Sequence, residues 1–238
     1  MSDTFLDGRV KITQPESGFR SGLDAVMLAA AVPARPGDSA LELGAGSGAA
    51  SLCLEARVPG IQITAVERDT ELAGLGRANA AANNANAQFL AADIFALPPA
   101  LKRDFDLVFC NPPFHGEGQA SPDAARAAAL MDDGRLRDWL RLGLQRTVSG
   151  GYFTVILRAD RLNQALAALP EKGLCAFPLN PRAGEAPKRV IVQARKGSHA
   201  PFALLSGLVL HQADGAWTPE AEAVLRRGSA LALTGARL

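Results

Sequence analysis

The stretch 39-SALELGAGSGAASLCLEAR-57 decides the architecture. Its first five residues are short, mostly apolar and β-compatible, and the segment from Gly48 to Arg57 has the composition of a helix. Between them Gly44, Gly46 and Gly48 permit a tight turn with positive φ and let a ligand approach bare backbone. The helix that follows offers unpaired N–H groups at its start. A strand that enters a glycine turn and leaves as a helix is the first half of a βαβ unit.

Working outward, the same alternation recurs. A strand is expected over 61-IQITAVE-67, a helix from Thr70 to about Asn84, and strands at 87-AQFLAAD-93 and 105-FDLVFC-110. A helix over 134–147 then leads to the strand 150-GGYFTVIL-157. Strands alternating with helices at crossover spacing imply right-handed connections and a mostly parallel sheet. The later segments 174-LCAFPL-179, 189-RVIVQAR-195 and 202-FALLSGLVL-210 are strand candidates, and 196-KGSHAP-201 has the look of a hairpin loop. The expectation is therefore an α/β, Rossmann-like fold: a seven-stranded, mostly parallel sheet with helices on both faces and a terminal antiparallel strand. Upstream, 8-GRVKIT-13 is a short strand and 21-SGLDAVMLAAAV-32 a helix stopped by Pro33. The chain reads as one domain over residues 1–238, with an extension at 1–37 whose helix covers the ligand site and a core with a C-terminal hairpin at 38–238.

With 48% apolar and 21% charged residues and a net charge of +1, the chain has ample core and no global cationic field. Cys53, Cys110 and Cys175 are too far apart for a zinc motif, and a reducing cytoplasm suits them. No signal-like apolar region or membrane-length run is apparent, and no metal is called for.

Ligands in such sheets sit beyond the carboxyl ends of the strands. Three acids fall there: Glu42, Glu67 and Asp93. Glu67 lies near the roughly 20-residue offset expected of a ribose-binding carboxylate. Gly44-x-Gly46-x-x-Ala49 also satisfies a relaxed dinucleotide fingerprint, so a nicotinamide oxidoreductase is one reading. Glu42 argues against it, because a carboxylate two residues before the first glycine repels a pyrophosphate and suits a cationic amino-acid group. Asp93 is placed to accept from an adenine amino group, with Ile94 or Phe95 able to pack on the ring. The fourth core strand ends at Asn111-Pro112-Pro113-Phe114. The Asn111 side-chain oxygen and the Pro112 carbonyl are two acceptors held rigidly by fixed φ. The tip resembles the N-P-P-[FY] signature of methyltransferases acting on planar exocyclic or amide nitrogens, and that resemblance implies that the two acceptors meet such a nitrogen and that Phe114 stacks on its ring.

The register of Glu42, Glu67 and Asp93 resembles the cofactor frame of class I S-adenosylmethionine-dependent methyltransferases, and the N-P-P-F tip resembles the signature of members acting on exocyclic or amide nitrogens. Together with 14-QPESGFRSGLDAVMLAAAV-32, 120-ASPDAARAAALMD-132 and 181-PRAGEAPKRVIVQARKG-197, they resemble the bacterial tRNA(Val) adenine-N6 methyltransferase family over roughly residues 8–230. That resemblance implies S-adenosylmethionine as cofactor, S-adenosylhomocysteine as product, and adenine N6 in tRNA as target. It places Asp24 near the cofactor's methionine end. Guanine-N2 of ribosomal RNA and protein glutamine remain alternatives, since enzymes for both share the N-P-P tip. Lys188, Arg189, Arg195 and Lys196 bracket one strand, with Arg182 and Arg226-Arg227 beyond, and Arg126 follows the tip. Lys188, Arg189 and Arg126 are the candidate phosphate contacts, and Gly116 to Pro122 a substrate loop. Monomer and homodimer are both open.

Overall fold

In the computed structural model the described residues are 2–16, 20–113, 135–231 and 233. Phe114, His115, the loop Gly116 to Pro122 and Arg126 therefore lie outside the described residues. The chain opens with an antiparallel pair, β1 (Ser2–Phe5) and β2 (Val10–Thr13), followed by α1 (Leu23–Ala31). Then come β3 (Ser39–Leu43), α2 (Ala49–Arg57), β4 (Gln62–Glu67), α3 (Thr70–Ala82), β5 (Gln88–Ala91) and β6 (Phe105–Cys110). After the tip follow α4 (Leu136–Gln145), β7 (Thr147–Arg158), α5 (Leu162–Ala168), β8 (Leu174–Arg182) and β9 (Arg189–Arg195). Two short strands, β10 (Ala203–Leu204) and β11 (Leu208–His211), and α6 (Pro219–Leu225) complete the described elements.

The main sheet has the order β10-β8-β9-β7-β6-β3-β4-β5, with β11 also on β8. Strands β5, β4, β3, β6 and β7 run parallel, and β9 runs against both β7 and β8. The expected mostly parallel sheet is present, but it has nine strands rather than seven, and the reversed strand, β9, lies inside it between β7 and β8 rather than at its end, because β8, β10 and β11 extend the edge beyond it. The hairpin is not where 196-KGSHAP-201 suggested. It joins β8 to β9, and the chain after β9 crosses to pair with β8 in parallel, as two pieces rather than one strand. Gly207 explains the break: its φ is +79°, and an added Cβ would sit 2.2 Å from the Pro178 carbonyl oxygen.

Local chemistry fixes the helix ends. The Asp69 carboxylate accepts from the Glu71 and Leu72 N–H groups at the start of α3, and Thr218 does the same for Ala221 at α6. At the end of α1 the Arg57 guanidinium donates to the Ala29 and Val32 carbonyls. One sheet face packs on α1, α2 and α6, drawing in Leu6, Val10 and Ile12 of the N-terminal pair. The other packs on α4, α5 and the turn at Ile94. All three cysteines are free and buried, and burial pushes Cys53 up to about 12 and Cys175 up to about 11, so neither is a ready thiolate. Among the described residues no helix is long and apolar enough to cross a membrane.

Candidate active site

The register brings the predicted residues to one edge. Leu43 pairs with Val66 on one side and Cys110 on the other, and Cys110 pairs with Val155. Gly44, Glu67 and Asn111 thus stand side by side just beyond three adjacent strands, at spacings of about 5 Å. Asp93 stands two residues beyond β5, which pairs with β4 through Glu67 and Ala91. The chain winds outward in opposite directions from β3 and β6, so Asn111 marks the topological switch point, where open α/β sheets bind ligands.

The three glycines divide their work. An added Cβ at Gly44 (φ +70°) would meet the Trp139 ring at 2.6 Å, and one at Gly48 (φ +93°) would meet Phe89 at 2.5 Å. Those two make room for aromatic packing. Gly46 (φ +56°) has nothing within 4 Å of that position, so open space beside the loop lies there. Glu67 faces the same loop: its two carboxylate oxygens accept from the Gly46 N–H at 2.8 Å and the Asp69 N–H at 2.9 Å. These bonds fix the carboxylate plane and leave it lone pairs for a pair of hydroxyls. One oxygen of Asp93 accepts from the Phe95 N–H at 2.9 Å. Ile94 packs into the core, whereas Phe95 is only partly buried, edge-on to Trp139 with the Arg135 guanidinium 3.5 Å above its ring.

Glu42 is turned inward. It is 2% exposed and accepts from the Ser51 N–H at 3.1 Å and from the Ser51 hydroxyl. Burial, aided by the nearby charge of Glu67, pushes its carboxyl up to about 8 against the bonds from Ser51. At neutral pH it is largely protonated. Ser51 carried no signal in the sequence, because an isolated helical serine is unremarkable.

Two candidates assigned to different ligands meet each other. Arg189 Nε donates to Asp24 Oδ2 at 2.8 Å, with Asp24 19% and Arg189 33% exposed. Lys188 is exposed beside them. The strand-bracketing charges separate: Lys188 and Arg189 lie at the carboxyl edge, while Arg195 and Lys196 lie at the other end of β9, about 20 Å away. Lys196 Nζ is spent on the Gln145 and Thr147 carbonyls, and Arg195 lies over the Tyr152 ring.

The edge is polarised. From β5 to β4 it carries Asp93 and Glu67; from β7 to β8 it carries Arg158, Arg189, Lys188 and Arg182. The arginines are partnered by Asp160, Asp24 and Glu185. Asn111 sits between the halves, and its Oδ1 is buried with no hydrogen-bond partner among the described residues. A buried acceptor left open costs about 1–3 kcal/mol, which a donor from a ligand would relieve. Open space at Gly46, an oriented Glu67 and Asp93 on the acidic side fit a cationic adenosyl cofactor, and Trp139 and Phe95 form an aromatic wall that sequence reasoning missed or underweighted.

Comparison with known proteins agrees. The methyltransferase small domain family matches residues 21–137. A tRNA1(Val) (adenine(37)-N6)-methyltransferase of Klebsiella pneumoniae is 30% identical over 156 residues, covering 63% of this chain and 62% of that protein. The chain thus spans just under two thirds of that relative. One of the same name from Porphyromonas gingivalis is 29% identical over 238 residues, covering 92% of each. Among solved structures, a predicted O-methyltransferase of Agrobacterium tumefaciens superposes with a TM-score of 0.73 at 29% identity, over 87% of this chain and 98% of that one. With this fold and these relatives, the chain is similar to the class I S-adenosylmethionine-dependent methyltransferases.

Proposed function

We propose that the protein methylates an exocyclic amine, adenine N6 in tRNA, in the cytoplasm. The observation that carries this is the buried, unpartnered Asn111 Oδ1 at the switch point. An arylamine nitrogen is a weak nucleophile because its lone pair is delocalised into the ring. Asn111 Oδ1 and the Pro112 carbonyl accept its two N–H bonds, favour a pyramidal nitrogen and aim the lone pair. Pro112 and Pro113 hold both acceptors still, so little reorganisation is needed during reaction. S-adenosylmethionine, when bound, supplies an electrophilic methyl carbon whose bond to sulfur breaks with its electron pair staying on sulfur. The methylated nitrogen then carries an acidic proton, which passes to water without a dedicated base.

The same acceptors disfavour a hydroxyl substrate. An oxygen nucleophile must lose its proton, and neutral amide carbonyls are not bases that remove it. Asp24, Glu67 and Asp93 are the residues proposed to serve the cofactor, with the glycine loop; Glu42, expected to meet the cofactor's cationic group, is instead buried against Ser51 and supports the first turn of α2. Phe114 is proposed to stack on the base, and Arg126, Lys188 and Arg189 to meet phosphates. The relatives named as tRNA adenine-N6 methyltransferases support the choice of polymer and base.

Nucleoside mass spectrometry of tRNA from a deletion strain tests the reading. Loss of N6-methyladenosine is expected. An unchanged tRNA profile, with labelled methyl appearing instead in guanine N2 of ribosomal RNA or in a protein, would replace adenine in tRNA by that target.

A further inference from the structure

The N-terminal extension docks on α3 in an unusual way. Asn79 and Asn83, one helical turn apart, each clasp the backbone of one residue of β2 through both amide atoms. Asn83 Oδ1 accepts from the Lys11 N–H at 2.9 Å and its Nδ2 donates to the Lys11 carbonyl at 2.7 Å. Asn79 Oδ1 accepts from the Thr13 N–H at 2.8 Å and its Nδ2 donates to the Thr13 carbonyl at 3.0 Å. Side chains at i and i+4 thus read alternate residues of a strand, as a neighbouring strand would.

The clasps differ in where the spare N–H goes: that of Asn83 Nδ2 donates to the Asn79 backbone carbonyl at 2.8 Å, within the same helical turn. The second N–H of Asn79 Nδ2 donates to the Ser47 carbonyl at 2.9 Å, inside the glycine loop. Ser47 lies between Gly46 and Gly48, both at positive φ, where sterics leave the backbone loosely determined. The peptide unit joining Ser47 to Gly48 is pinned at both ends: its carbonyl by Asn79, its N–H by the Ala45 carbonyl at 2.9 Å. Asn79 is 2% exposed and Ser47 3%, so water does not readily replace these bonds. The Thr13 N–H fixes which amide atom of Asn79 is the donor, so both of its N–H groups are committed to carbonyls.

We infer that Asn79 is a positioning residue for the cofactor loop, setting its backbone by reference to the N-terminal strand pair. Residues 10–13 are then part of the cofactor site's support although they are remote from it in sequence. Loop and strand are linked through one side chain, so the effect is reciprocal: ligand at the loop steadies Thr13, and loss of the clasp weakens the ligand.

Asn79→Ala and Asn83→Ala form a matched pair, since each cuts one clasp on β2 and only the first touches Ser47. Isothermal calorimetry with S-adenosylhomocysteine should show Kd raised about fivefold or more by Asn79→Ala and changed less than about twofold by Asn83→Ala. Hydrogen exchange on the unaltered chain provides a readout that needs no variant to fold. S-adenosylhomocysteine should slow exchange at the Thr13 amide about threefold or more, and at Lys11 less. Equal weakening by both variants, weakening by neither, or a Thr13 amide indifferent to the ligand overturns the assignment. The assignment rests on the cofactor reading: an unaltered chain that does not bind S-adenosylhomocysteine removes both, whereas the other adverse outcomes remove only the role of Asn79.

Discussion

Asn111 and Glu42 are both carboxyl-edge residues of buried strands, yet their polar atoms are disposed oppositely. Asn111 Oδ1 is open, and Glu42 is closed by Ser51. The first difference predicts a catalytic phenotype. Asn111→Ala should leave S-adenosylhomocysteine binding within about twofold while lowering kcat on the order of 10²-fold or more, the scale of losing one preorganised polar partner. Calorimetry and single-turnover transfer measure the two quantities, and unchanged turnover would remove Asn111 from the chemistry. The second difference predicts a stability phenotype. Unfolded, Glu42 ionises near 4.5; folded, it does so at about 8. Between those values the folded chain holds a proton that the unfolded chain has released, so this group's contribution to stability falls as pH rises, by up to about 1.4 kcal/mol per unit. Below pH 4.5 both states are protonated and above 8 both are ionised, so the loss stops growing there. Glu42→Gln should therefore gain on the unaltered chain steadily from pH 5 to pH 8 in urea midpoints. Parallel pH profiles for the two chains would show that Glu42 is ionised in the fold.

At the scale of elements, sequence reading succeeded where one segment's pattern contains its own answer. The runs at β3, β4 and β6 are largely apolar and end at glycine, at the charged Glu67-Arg68-Asp69 or at proline, so their ends, and with them Gly44, Glu67 and Asn111, could be placed in order. It failed where a partner chosen by tertiary packing decides. The run 202–210 looks like one strand, but the close approach of Gly207 to Pro178 splits it. Asp24 and Arg189 are separated by 165 positions, and nothing local to either announces the other. The charges around β9 were legible as a set but not as two groups at opposite ends. Their separation gives a test. Lys188→Ala should reduce the salt slope of tRNA binding by about one unit with little change in stability. Lys196→Ala should leave that slope unchanged but destabilise the fold by about 1–3 kcal/mol, because its ammonium is committed to the Gln145 and Thr147 carbonyls. Filter-binding at several salt concentrations, with urea melts alongside, separates the two. A slope altered by Lys196→Ala and not by Lys188→Ala would place the RNA on the other edge.

For the whole molecule, the extension raises the question of whether it folds with the core or is merely attached to it. The packing argues for one unit. Leu6, Val10 and Ile12 are 2%, 1% and 0% exposed, and they share a hydrophobic cluster with α1, α2 and the C-terminal Leu210, Ala221, Val224 and Leu233. The segment after α6 also meets α1 directly, the Leu231 N–H donating to the Ala30 carbonyl at 2.8 Å. Burying each large aliphatic side chain contributes at most about 1.5–3 kcal/mol. Three of them, with the two asparagine clasps, approach the whole net stability of about 5–15 kcal/mol expected of a globular protein. We therefore propose that residues 1–238 unfold together, and that deleting residues 2–13 leaves a chain that does not hold the fold. The two tryptophans report from different places, Trp139 against the glycine loop and Trp217 stacked on His211 beyond the sheet edge. In Trp217→Phe and Trp139→Phe variants, urea transitions followed by the remaining indole should share one midpoint with the far-ultraviolet signal of the same variant. A midpoint for Trp217 clearly below the far-ultraviolet midpoint would mean that the C-terminal edge opens first, and the shared cluster would then be a contact between units rather than one core.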